Sequence, residues 1–184
     1  MDLRETIIQI NHSKEQRAFF AQLLMNDPKL VAQALQIVGD IHTETSYKAA
    51  WALEFLCKNK LDGILSHIDS FITLLPEVYH HSAVRPMAKI CEYLIIAYYL
   101  DVPNNVQLSL QKTHREKITE ACFDWLITDQ KVAAKAYAMT CLQLLGTEFG
   151  WIHAELRNSI EKQYAAQSAA FKARGRMVLK KLNS

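Results

Sequence analysis

Residues 135–145 read KAYAMTCLQLL, and residues 172–182 read KARGRMVLKKL. Both open on lysine, and the offset from 135 to 172 is 37 residues. Small residues stand at the first and third places after each lysine: Ala136 and Ala138, then Ala173 and Gly175. Leucines then recur in register, Leu142 with Leu179 and Leu145 with Leu182. Arg85-Pro86-Met87-Ala88 fits the same frame 50 residues before Lys135, the excess falling in the loop with VPNNVQLSLQ. Tyr47-Lys48-Ala49-Ala50 fits with Ala50 matched to Ala88. A small residue at one place per unit marks where neighbouring helices approach closely. Stacked helix pairs bury a continuous core in that way, whereas a four-helix bundle has no reason to repeat by pairs.

Outside these strings the apolar spacing is helical almost throughout, and no convincing strand is found. An opening helix at about 2–10 carries Leu3, Ile7, Ile8 and Ile10. Ser13-x-x-Gln16 is a capping box that opens a helix to about 25. Asp27-Pro28 supplies an N-cap and a first-position proline. Further helices are expected at 45–58, at 61–75 closed by Pro76, and from 82 to about 100. Pro103-Asn104-Asn105 breaks the chain, and Thr113-x-x-Glu116 starts the next helix. Helices at 130–146, 151–165 and 168–182 follow. The expectation is one all-α domain over 1–184. It is a right-handed α-solenoid of about four helix pairs (28–58, 61–100, 113–146, 151–183) with residues 1–26 as an N-terminal cap.

With these units in place, the chain resembles HEAT-like, armadillo-type helical-repeat proteins. That family carries an aspartate in the turn and a basic residue about six places later, as Asp129 and Lys135 do here. Arg85, Lys48 and Lys172 match the basic place alone, because Tyr79, His42 and Ala166 stand where the aspartate would be. The resemblance implies a superhelix whose second helices line a concave face; it names no ligand. The string ELRNSIEKQYAAQSAAFKARGRMVLKKL resembles small stand-alone bacterial repeat proteins to which the name adenylosuccinate lyase is sometimes attached. That lyase needs a serine-rich loop of the S-S-x-M-P type and a far longer chain, so the activity is rejected.

Charge supplies the candidate site. Basic residues mark the second helices: Lys48, Arg85 with Lys89, Lys131 with Lys135, then Lys172, Arg176 and Lys180 spaced by four. Two readings compete. Arg85, Lys89, Lys135, Lys172 and Arg176 could line a basic groove for phosphates or an acidic peptide. Alternatively they hydrogen-bond neighbouring repeats and face solvent at the end of the array. The second is the heavier reading, since phosphate affinity needs several clustered cations; the whole chain, with 21 Lys+Arg against 19 Asp+Glu for a net +2, is too balanced to point to nucleic acid. Trp51 with Glu54, Asp124 with Trp125, and Trp151 with Glu155 place indoles beside acids. This resembles, in architecture alone, the HEAT-like alkylpurine DNA glycosylases, which hold damaged DNA in a basic groove with tryptophans and an acid at the lesion.

Composition excludes other classes. Gly (5) and Pro (4) are too scarce for a turn-rich β protein. No run reaches the roughly 18–20 apolar residues of a membrane span, and the acidic, polar start MDLRETIIQINHSKEQ is no signal peptide. Cys57, Cys91, Cys122 and Cys141 form no C-x-x-C pair or zinc spacing and read as buried thiols in a reducing compartment. His80-His81 reads as capping or surface residues. No GxSxG, HExxH or Gly-rich phosphate loop occurs. The expected object is a cytoplasmic, non-catalytic scaffold with no cofactor. It would hold a protein partner on its concave face, with nucleic acid less favoured and no membrane contact. The alternative is a DNA-binding or glycosylase-type repair protein.

Overall fold

The structure is a computed structural model that describes residues 2–9, 11 and 13–183. Among these the chain is all-helical, with no strand. The α-helices are Leu3–Ile8 (α1), Lys14–Asn26 (α2), Lys29–Gly39 (α3), Glu44–Asn59 (α4), Ile68–Leu74 (α5) and His81–Tyr98 (α6), followed by Asn105–Ser109 (α7), Lys112–Ile127 (α8), Val132–Leu145 (α9), Trp151–Tyr164 (α10) and Ala169–Leu182 (α11).

Local chemistry sets most boundaries. Ser13 accepts from the Gln16 N–H at 3.2 Å and caps α2. Asp27 Oδ1 accepts from the Lys29 N–H at 3.0 Å, while Pro28 already has helical angles at φ −57°, ψ −23°. Ser168 takes the Phe171 N–H at 3.3 Å and opens α11. In α1, Leu3 and Ile7 are buried and Ile8 is exposed; Ile10 lies outside the described residues.

Three boundaries differ from expectation. The segment expected as one helix over 61–75 is a 3-10 turn, Leu61–His67, followed by α5. His67 at φ −122°, ψ 20° interrupts the winding, and Gly63 lies so close to α4 that an added Cβ would stand 3.1 Å from Leu56 Cδ1. The stretch after Pro103 is not only a break. Asn104 and Gln107 exchange side-chain-to-backbone bonds at 3.2 Å each, and this capping box nucleates the short α7. The third difference is at α8, which starts before Thr113. The Gln111 N–H donates to His114 Nδ1 at 3.2 Å, so an imidazole does the work expected of Glu116.

Pro86 sits inside α6, beyond its first turn. It lacks the N–H that would close the helical bond to the Ser82 carbonyl. The Trp51 Nε1–H of α4 reaches that carbonyl at 3.1 Å, so the helix keeps its acceptor satisfied through a neighbour.

The helices α2, α4, α6, α9 and α11 lie side by side in that order, each packed on the next. Helix α3 packs on α4 and α8 on α9, α10 packs on both α9 and α11, and α5 touches α3 and α8. Ala49, Ala50, Ala83, Ala88, Ala134 and Ala138 are all buried to 1% exposure or less, which lets backbones in this row approach. In α11 the small residue faces α10 instead: a Cβ added at Gly175 would stand 3.0 Å from Ile160 Cγ2. The large buried side chains, from Leu3 in α1 to Phe171 in α11, form one connected core. All four cysteines are free and buried within it. No helix among the described residues is long and apolar enough to cross a membrane.

Candidate functional site

Each neighbouring pair in the row of five helices is bridged by polar or cation–ring contacts between named side chains. From α2, the Arg17 guanidinium stands 5.0 Å from the Phe55 ring centre and 5.9 Å from that of Trp51, both on α4. From α4, Glu54 Oε2 accepts from Arg85 Nη2 of α6 in a short ion pair. From α6, Lys89 Nζ lies 4.5 Å from the Tyr137 ring centre of α9 and 4.7 Å from that of Tyr93, while donating to Glu92 Oε2 at 2.6 Å. Between α9 and α11, Arg174 Nη1 donates to Thr140 Oγ1 at 3.0 Å, and Lys135 Nζ stands 5.9 Å from the Phe171 ring centre. Lys135 also donates to Gln163 Oε1 of α10 at 3.0 Å.

These contacts set the electrostatics. Burial pushes the Glu54 carboxyl above its ordinary value; Arg85, Arg17 and Lys89 pull it back without cancelling the shift. Burial acts most strongly and lowers the Lys89 ammonium, but the bond to Glu92, that carboxylate's charge and the nearby Tyr93 and Tyr137 together outweigh it, and the net shift is upward. Lys135 is held below its ordinary value by burial, with Asp129 opposing.

The five residues singled out by sequence divide into three groups. Arg85 and Lys89 lie one turn apart on α6, Arg85 paired with Glu54 and Lys89 with Glu92. Lys135 is 4% exposed and directed at α10 and α11. Lys172 and Arg176 join neither group: Lys172 Nζ donates to the Ala165 carbonyl at 3.1 Å and Arg176 Nη1 to Tyr164 Oη at 3.2 Å, tying α11 to the end of α10. Lys48 pairs with Glu44 at 2.8 Å and donates to the Ile8 carbonyl at 2.7 Å, fastening α4 to α1. His80 caps α6 through the Ser82 N–H at 3.3 Å, and His81 Nδ1 meets Gln130 Oε1 at 3.1 Å. Among the described residues no group of three His, Cys, Asp or Glu could hold a metal ion.

Sequence reasoning missed Arg17, Phe55, Tyr93 and Tyr137. Lys89 and Tyr93 are an i, i+4 pair and could have been found from spacing. Glu54–Arg85 and Lys89–Tyr137 are contacts between helices, and nothing in local spacing points to them. Of the three indoles set beside acids, Trp51 and Trp125 are buried at 7% and 4% exposure and Trp151 is exposed. Comparison with known proteins returns no relative: no family model, no curated protein and no solved structure matches the chain.

Proposed function

We propose that the chain is a HEAT-like α-solenoid of four helix pairs behind an N-terminal cap, and that it holds a protein partner on the face presented by α2, α4, α6, α9 and α11. The side-by-side order of these helices and their small residues at the contacts support the architecture. The observation that carries the function is the ladder along the row: an ion pair, cation–ring contacts and a hydrogen bond between successive helices. Its Arg, Tyr and Phe side chains are of the types enriched at protein-recognition surfaces, and holding them in place beforehand reduces the ordering cost of binding. Arg85 and Lys89 are spent on carboxylates and Lys135 is buried, which favours a protein over the phosphate-dense surface of duplex DNA. Four free thiols suit a reducing cytoplasm.

The test compares proteins retained by the immobilised wild type with those retained by Lys89→Glu and by Tyr137→Ala. A partner bound by the wild type and lost by both variants, at unchanged urea midpoints, supports the reading. Retention of duplex DNA in place of protein at low salt would replace it.

A second reading, glycosylase-type DNA repair, draws support from Glu54, a buried carboxylate among Arg17, Arg85, Lys89 and Phe55. It predicts release of alkylated bases from duplex DNA, abolished by Glu54→Gln.

A further inference from the structure

The cavity where α8 meets the start of α10 encloses about 240 Å³ and is lined by Glu116, Thr119 and Glu120 of α8 together with Phe149 and Trp151. Trp151 sets it apart. It is 59% exposed, whereas Trp51 and Trp125 are buried. Its position is nonetheless fixed. The indole stacks on Phe123 with centres 5.6 Å apart and planes 21° from parallel. The flanking backbone is pinned by the Phe149 N–H to the Leu145 carbonyl and the Ile152 N–H to the Phe149 carbonyl, both at 2.9 Å. A large aromatic held rigidly in water forgoes the burial free energy that the other two indoles gain.

The neighbouring charges say what chemistry such a platform suits. Glu116 and Glu120 stand at i, i+4 on one side of α8. The Glu116 side chain is 47% exposed and meets Lys112 at 3.8 Å, a loose surface pair. Lys117 lines the adjacent depression with Glu77, Glu120 and Asp124. Two carboxylates lining one cavity with an indole repel anions and attract cations. A planar, weakly hydrated guanidinium fits better than a compact ammonium, since it can stack on the ring while its N–H fork meets the carboxylates. The cavity is smaller than the roughly 300–1,000 Å³ of drug-sized sites, which matches a single side chain.

We infer that this cavity receives an arginine side chain of a protein partner, its guanidinium against Trp151 and its N–H groups donated to Glu116 and Glu120. Helices α8 and α10 stand outside the row of five, so this site is independent of the face proposed above.

The test titrates the ¹⁵N-labelled full chain with a blocked Gly-Arg-Gly tripeptide while following the indole N–H signals, Trp151 being assigned by Trp151→Phe. The expected result is a saturable shift of the Trp151 signal with the Trp51 and Trp125 signals unmoved. Replacing arginine by neutral, isosteric citrulline abolishes it. Glu116→Gln/Glu120→Gln weakens it about fivefold or more, the loss of two charge-assisted contacts at an exposed ring. The unmoved Trp51 and Trp125 signals report that this variant is folded; if it is not, Glu120→Gln alone carries the test. No shift of Trp151, an equal shift with citrulline, or a shift indifferent to the glutamate substitutions would overturn the assignment. Tighter binding of free arginine than of the blocked tripeptide would also overturn it, by pointing to a small molecule instead of a protein side chain.

Discussion

The Trp51 indole N–H of α4 donates to the Ser82 carbonyl of α6 at 3.1 Å, the carbonyl that Pro86 deprives of its helical donor. A proline inside a helix normally costs about 3 kcal/mol, partly through the lost bond. Here the neighbouring helix supplies the missing donor. Trp51→Phe therefore leaves a part-buried carbonyl unpaired and should cost about 1–3 kcal/mol in urea unfolding. In a Pro86→Ala background residue 86 regains its N–H, and the same substitution should cost measurably less. Equal costs in the two backgrounds would show that the indole contributes packing alone.

Arg85 and Glu54 form the pair at the centre of the ladder, with the Glu54 side chain 9% exposed. Arg85→Ala strands a buried carboxylate and should cost about 3 kcal/mol at pH 7. The Glu54 carboxyl is already raised above its ordinary 4.5, and losing Arg85 raises it further. Between the wild type's raised value and the variant's still higher one, the folded variant binds more protons than the folded wild type. The variant's deficit must therefore shrink as pH falls through that range. Glu54→Gln in the Arg85→Ala background should recover most of the loss, as a double-mutant cycle will show.

Arg115 and Glu148 have the opposite pH signature. The guanidinium forks onto the carboxylate, Nε to Oε2 at 2.9 Å and Nη2 to Oε1 at 2.7 Å, with Nη1 on the Leu110 carbonyl at 2.6 Å. The hydrogen bond from Arg115 is the main cause holding the Glu148 carboxyl below its ordinary 4.5. A lowered carboxylate gives stability that is present above 4.5 and lost as pH falls from there toward the lowered value. Glu148→Gln should lose about 1–3 kcal/mol at pH 7 and show a flatter stability profile in that acid range.

Lys135 is buried, and burial lowers its ammonium. Replacing it by methionine removes a desolvated charge and leaves an apolar stem of similar length, so stability should change by no more than about 1 kcal/mol. A loss of several kcal/mol in thermal or urea unfolding would mean that the Gln163 bond is worth far more than a single hydrogen bond.

Gly146 closes α9 against the His153 ring, where an added Cβ would fall within the imidazole. Gly146→Ala should cost about 1–3 kcal/mol by overpacking. His153 is held by Nε2 to the Gln143 carbonyl at 2.9 Å, so it cannot swing aside without losing a bond. His153→Ala in the same background should restore part of the stability measured by urea unfolding.

Much of the helical framework was legible in the residue order. Ser13, Asp27 and Ser168 are short polar acceptors placed just before apolar periodic runs, and each caps a helix there. Helix α7 escaped because five residues are too few for a period to emerge. The start of α8 escaped because its capping acceptor is a histidine. The basic positions were visible one by one, but what each contacts was not. Glu54 meets Arg85 and Lys89 meets Tyr137 only after helices far apart in the chain pack together. The indole of Trp51 illustrates the limit: its place one turn before Glu54 was readable, while its service to Ser82 depends on where a proline falls in a different helix.

The cysteines have a practical consequence. Cys57, Cys91, Cys122 and Cys141 are all sealed inside, and burial raises every one of their thiols, so the reactive thiolate is scarce in the native protein. They stand on α4, α6, α8 and α9, the middle of the array. Alkylation by a maleimide must then wait for these helices to part. The chain thus carries a built-in stopwatch, with four natural labels whose modification rates would chart how often its centre opens.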